Sequence, residues 1–101
     1  MKQKKIMIIR KDPGKSPQLI PNFENTLENF QQAVGGHIEA VTFAENAAVI
    51  CNEEGRLRGL PYNCRVLGVG FVGTILIVGV DEDEFSDLPG KAILLLPWLL
   101  R

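Results

Sequence analysis

The chain has 101 residues, 46% of them hydrophobic and 23% charged, with a formal net charge of -1. That length fits one domain (residues 1–101), and the composition excludes a disordered tail. The charge balance does not announce a nucleic-acid binder, although residues 1–15 are mainly basic and residues 81–87 mainly acidic.

In chain order, residues 4–10 (K-K-I-M-I-I-R) form a short apolar run that predicts a strand, closed by the Asp12-Pro13-Gly14 turn signal. The run is too short for a signal peptide. Residues 16–22 predict a loop, because Pro17 and Pro21 oppose a helix. Residues 25–34 predict the main helix. Asn25 or Asn22 serves as its cap, Glu28 as a capping-box partner, Leu27, Phe30, Ala33 and Val34 share one face, and Gly35-Gly36 ends it.

Residues 37–43 are β-rich and roughly alternating, residues 46–52 form a second strand after a short turn at Ala44-Glu45, and Asn52 to Gly55 reads as a hairpin turn leading into residues 56–59. Residues 60–63 read as irregular. Residues 74–80 (T-I-L-I-V-G-V) are the most strand-like stretch, and their continuous apolarity predicts a central position. Ser86 or Asp87 can cap a short C-terminal helix running to about residue 96, with Pro89 in its first turn and Pro97 breaking it. The expected fold is α+β: a small, mostly antiparallel sheet with one main helix packed on one face, and a short C-terminal helix.

Few motifs carry chemistry. Gly68-Val69-Gly70-Phe71-Val72-Gly73 spells G-x-G-x-x-G but precedes a strand and opens no helix, so it predicts a glycine-rich loop or bulge and no dinucleotide cofactor. The acidic stretch with Asp81, Asp83 and Glu84 lacks the ligand spacing of a calcium loop, so no metal is expected; it reads as solvated or as a knob for a basic partner. Cys51 and Cys64 are too far apart for a zinc knuckle and read as buried groups in a reducing, cytoplasmic compartment. A Cys-His enzyme would need one of them beside His37, with Glu39 on the same strand face, and no local signature supports that. The apolar string at residues 92–100, with Trp98, has no polar face and must be buried in the domain, an oligomer or a partner. Neither it nor residues 66–80 reaches the ~18 residues a spanning helix needs, so no membrane contact is expected.

Several stretches together resemble a family of short proteins of phages, plasmids and integrated bacterial elements, the domain of unknown function 3846. They are N-T-L at 25–27, Q-Q-A-V-G-G-H-I-E at 31–39, N-E-E-G-R-L at 52–57, G-L-P-Y-N at 59–63 and residues 73–79. The resemblance implies a cytosolic bacterial or phage protein and carries no assigned active site. The leading expectation is a non-enzymatic binding protein that blocks a host factor, an anti-CRISPR or anti-restriction inhibitor being one form. Its partner would be a host protein or a second copy. The alternatives are a sponge for a signalling nucleotide, suggested by Arg56, Arg58, Arg65 and the glycine-rich stretch, and a small Cys-His or metal-assisted enzyme. Loops are the favoured place for binding residues, which selects Glu53, Glu54, Arg56, Tyr62, Asn63, Asp81, Asp83, Glu84 and Trp98.

Overall fold

Runs of β-branched residues set the frame of the protein, seen here in a computed structural model that describes residues 3–99, of which 95–99 by backbone alone. β1 (Lys5–Lys11), β2 (Gln18–Glu24), β3 (Ile38–Ala44), β4 (Ala47–Asn52), β7 (Ile75–Asp81) and β8 (Glu84–Ser86) build one sheet, while β5 (Tyr62–Val66) and β6 (Val69–Val72) form a separate hairpin. The helices are short: α1 (Leu27–Val34) and α2 (Gly90–Leu99). The sheet order is β2-β1-β7-β4-β3, every pairing is antiparallel, and β8 pairs with β7 beyond the end of β1.

β7 is central, as its apolar run predicts, and Ile75, Leu76, Ile77 and Val78 are all 0% exposed. Successive strand residues point to opposite faces, so the sheet feeds two cores. On one face Ile6, Ile8, Ala48, Ile50, Leu76 and Val78 meet Phe30 and Val34 of α1. On the other, Ile9, Val49, Cys51, Ile75 and Ile77 meet Cys64, Val66 and Phe71 of the β5–β6 hairpin, with Leu88, Ala92 and Ile93 alongside. The fold is thus a mostly antiparallel sheet with short helices, and the hairpin supplies a cover that the sequence reading left out.

Several boundaries differ from expectation for identifiable reasons. Residues 18–24 form an edge strand rather than a loop. Pro21 is tolerated there because β2 pairs on one side only, and the register shifts near it, between Ile6 and Ile8 of β1. The α1 cap is Thr26, whose hydroxyl accepts from the Asn29 backbone N–H at 3.2 Å, and neither Asn25 nor Asn22. Asn25 is instead buried, donating to the carbonyls of Gln3 (2.9 Å) and Phe85 (3.1 Å).

The glycine-rich stretch is not a loop entering a strand but strand β6, paired with β5 through a two-residue turn at Leu67-Gly68. Both turn residues have positive φ, 48° and 84°, which matches the twist of a tight hairpin. Residues 56–59 continue a turn and form no strand, and the segment expected to be irregular becomes β5 from Tyr62 onward. Ser86 ends β8, and the Asp87 carboxylate accepts from the Met7 N–H at 2.8 Å, so neither caps α2. That helix starts at Gly90 after Pro89 and runs through Pro97 to Leu99, so Pro97 removes one internal donor without stopping it. The side chain of Trp98, and the end of the apolar string, lie outside the described residues.

Candidate functional site

The loop at residues 53–60 is held at almost every position. Asn52 begins it: its side chain donates to the Val34 carbonyl at the end of α1 (3.1 Å) and accepts from the Glu54 N–H (2.8 Å). Backbone bonds follow from Gly55 to Asn52 (3.1 Å), Arg58 to Glu54 (2.9 Å), Gly59 to Arg56 (3.2 Å) and Leu60 to Gly55 (3.0 Å). Arg58 then donates to the Gly35 carbonyl, and Arg56 to the Gly70 carbonyl of β6, both at 2.9 Å. Glycine is required where these parts meet: a Cβ on Gly36 would sit 2.9 Å from Asn52 Nδ2, and one on Gly55 2.9 Å from Val72 Cγ2. At the crest of this fastened loop Leu57 is 87% exposed.

Between the loop, β3 and β6 lies a cleft of about 270 Å³, lined among others by Glu39, Cys51, Arg56, Leu57, Val69 and Phe71. Glu39 and Cys51 are cross-strand partners, and the thiol lies 3.8 Å from Glu39 Oε1. Burial, then the Glu39 charge and hydrogen bond, push the Cys51 thiol up to about 11. Burial also raises the Cys64 thiol, against an opposing pull from Lys11. Both sulfurs therefore keep their protons at neutral pH. Cys51 bonds Glu39 rather than His37, whose carbonyl accepts from the Glu53 N–H at 2.8 Å. Among the described residues, no group of three or more His, Cys, Asp or Glu is placed to hold a metal ion.

The sequence candidates fall into two places. Glu53, Glu54 and Arg56 lie on the loop, and Tyr62, 58% exposed, opens β5 close by, opposite Val72. Asn63 is buried and fully engaged: Nδ2 donates to the carbonyls of Lys11 and Gly73, both at 2.8 Å, and Oδ1 accepts from Lys11 Nζ at 3.1 Å. It fastens β5 to the sheet and offers little to a partner. Asp81, Asp83 and Glu84 stand at the far end of β7, about 20 Å along the strand. There Asp83 and Glu84 border a second cavity of about 230 Å³ beside Phe30 and Phe85. Leu57 escaped the sequence reading, although an apolar residue between two arginines in a polar turn is a visible signal.

A family model described as Domain of unknown function (DUF3846) matches residues 4–96. The chain belongs to this family. No curated protein and no solved structure matches it. Within this DUF3846 chain, some of the stretches behind the resemblance meet one another: Asn52 donates to the Val34 carbonyl and lies against Gly36, and Gly73 lies against Leu60. Asn52, Arg56 and Asn63, three polar residues of those stretches, hold the loop and hairpin in place. The family's description names no activity, and no helix among the described residues is long and apolar enough to cross a membrane.

Proposed function

We propose that this DUF3846 protein is a non-enzymatic binding protein that engages another protein through the 53–60 loop and the adjoining β5–β6 hairpin. The observation that carries the reading is Leu57, 87% exposed on a loop fixed by hydrogen bonds to α1, β4 and β6. A leucine presented this way is an anchor whose burial gains roughly 25 cal/mol per Å² of apolar area. The loop is already ordered, so little further entropy is lost on docking. Tyr62, Leu67 and Val69, each at least half exposed, add apolar surface on the adjoining hairpin, where Arg56 is fastened at Gly70. Protonated, buried thiols favour binding over nucleophilic chemistry. In the setting the family resemblance implies, the partner we propose is a host protein met by a phage or mobile-element product, a defence nuclease being one form.

The test is capture from bacterial lysate on immobilised protein, with mass spectrometry of retained proteins and small molecules, in parallel for wild type and Leu57→Asp. One protein at near-equal stoichiometry is expected on wild type and absent from Leu57→Asp, with identical circular dichroism for the two. Equal retention by both would remove the loop from the interface, and recovery of a nucleotide in place of a protein would overturn the reading.

A further inference from the structure

β3 ends the sheet. Its inner side is laddered to β4 from Ile38↔Asn52 to Ala44↔Ala47, and its only irregularity lies at the far end, between Thr42 and Ala44. Among the described residues no strand pairs with its outer side, and no other hydrogen bond reaches its outward backbone groups. Proteins blunt such edges with proline, lysine or bulges. Both edge pairings carry a register shift, but the opposite edge, β2, also has Pro21, whereas β3 (I-E-A-V-T-F-A) has neither proline nor lysine.

Beside this open edge runs a groove of about 230 Å³ between β3 and the β5–β6 hairpin, walled by Val41, Phe43, Val66, Leu67, Val69 and Phe71. Leu67 and Val69, at 57% and 50% exposure, overhang it, and no charged side chain lines it. The one charge on β3 is Glu39, on the same strand face as Val41 and Phe43. Its carboxylate is exposed and, among the described residues, has no cation within salt-bridge distance.

We infer that β3 takes up an extended apolar segment of a partner protein as an added strand, with a lysine or arginine of that segment set against Glu39. Unpaired N–H and C=O groups along an edge are satisfied by an extended backbone, and alternate apolar side chains of that backbone fill the groove. The Glu39 carboxylate at one end, which accepts from the Cys51 thiol but pairs with no cation among the described residues, selects a cation and fixes the register. A second copy fits less well: two β3 strands paired antiparallel about Val41 would set Phe43, not a cation, against each Glu39. The inference rests on the protein-binding reading but uses atoms other than those of Leu57.

The probe is the peptide Thr-Val-Thr-Val-Thr-Lys-Thr, which in antiparallel register sets its valines against Phe43 and Val41 and its lysine against Glu39. Amide NMR titration should move the backbone signals of residues 38–44. Replacing the peptide lysine by glutamate should weaken binding about threefold or more, and Glu39→Lys in the protein should reverse that preference. N-methylation of alternate peptide amides should abolish binding, while Leu57→Ser, which adds no charge to the cleft shared with Glu39, leaves it unchanged, separating this docking from the loop contact. The inference is overturned by shifts outside β3, by undiminished binding of the N-methylated peptide, by no binding at all, or by sedimentation showing that β3 pairs with itself.

Discussion

Asn63 offers a sharp test of the claim that the polar residues around the loop are structural. Its side-chain amide is buried and donates at 2.8 Å to the carbonyls of Lys11, ending β1, and Gly73, just before β7. Asn63→Ala deletes both bonds and leaves both acceptors without that donor. Two such bonds contribute about 0.5–1.5 kcal/mol each, and leaving a buried carbonyl unpaired adds more, so the expected loss is about 2–4 kcal/mol. With a urea m-value of about 2 kcal/mol/M, the middle of the usual range, the unfolding midpoint should fall by roughly 1–2 M at unchanged slope. Lys11→Met removes two partly buried Nζ contacts, to Asn63 Oδ1 at 3.1 Å and to the Asp12 carbonyl at 3.0 Å, and should cost about 1 kcal/mol, less than Asn63→Ala. Urea titrations followed by circular dichroism check both. A loss below about 0.5 kcal/mol for Asn63→Ala would refute the reasoning and return Asn63 to the list of binding residues.

Two further outcomes follow from the same geometry. At Gly79 an added Cβ would overlap the Asp87 carbonyl oxygen and lie 2.8 Å from Ser86 Oγ; Asp87 is itself tied to Met7, so Gly79→Ala should cost roughly 2–4 kcal/mol in thermal or urea melts. The Cys51 thiol is raised on folding from its ordinary 9.0 to about 11, so its contribution to stability is fully present below pH 9 and lost as pH rises through 11. Alkylation of the native protein near pH 8 should therefore be slow. Glu39→Gln should lower the Cys51 value while leaving it above 9, because burial is the larger cause, and thiolate absorbance against pH would show it.

Much of the sheet was legible because its signals are local. The apolar runs of β1, β4 and β7, the rough alternation of β3, and the periodicity of α1 each lie within one segment. What escaped depends on partners distant in sequence. β2 is a strand despite Pro21 because β1 pairs with it on one side alone. β5 and β6 are joined by the tight Leu67-Gly68 turn, and they hold their shape through contacts with Lys11, Arg56 and the second core. Asn25 and Thr26 are neighbours that can both cap a helix, Asn ordinarily the better, and the choice of Thr26 is made by Gln3 and Phe85, whose carbonyls hold the Asn25 amide. The loop's place was legible from its turn residues. Which of its side chains face inward was not, because that follows from Asn52 and Gly36 meeting the end of α1.

The position of β7 has a consequence for synthesis on the ribosome. The β1–β2 and β3–β4 hairpins have no direct pairing with one another; β7 lies between them and joins both. A nascent chain that has not yet released residues 75–81 holds two separate ribbons, each with an apolar face and an inner edge still unpaired. The sheet closes when that late segment slots in, a contact of long sequence separation that makes folding slow and leaves truncated products prone to aggregate.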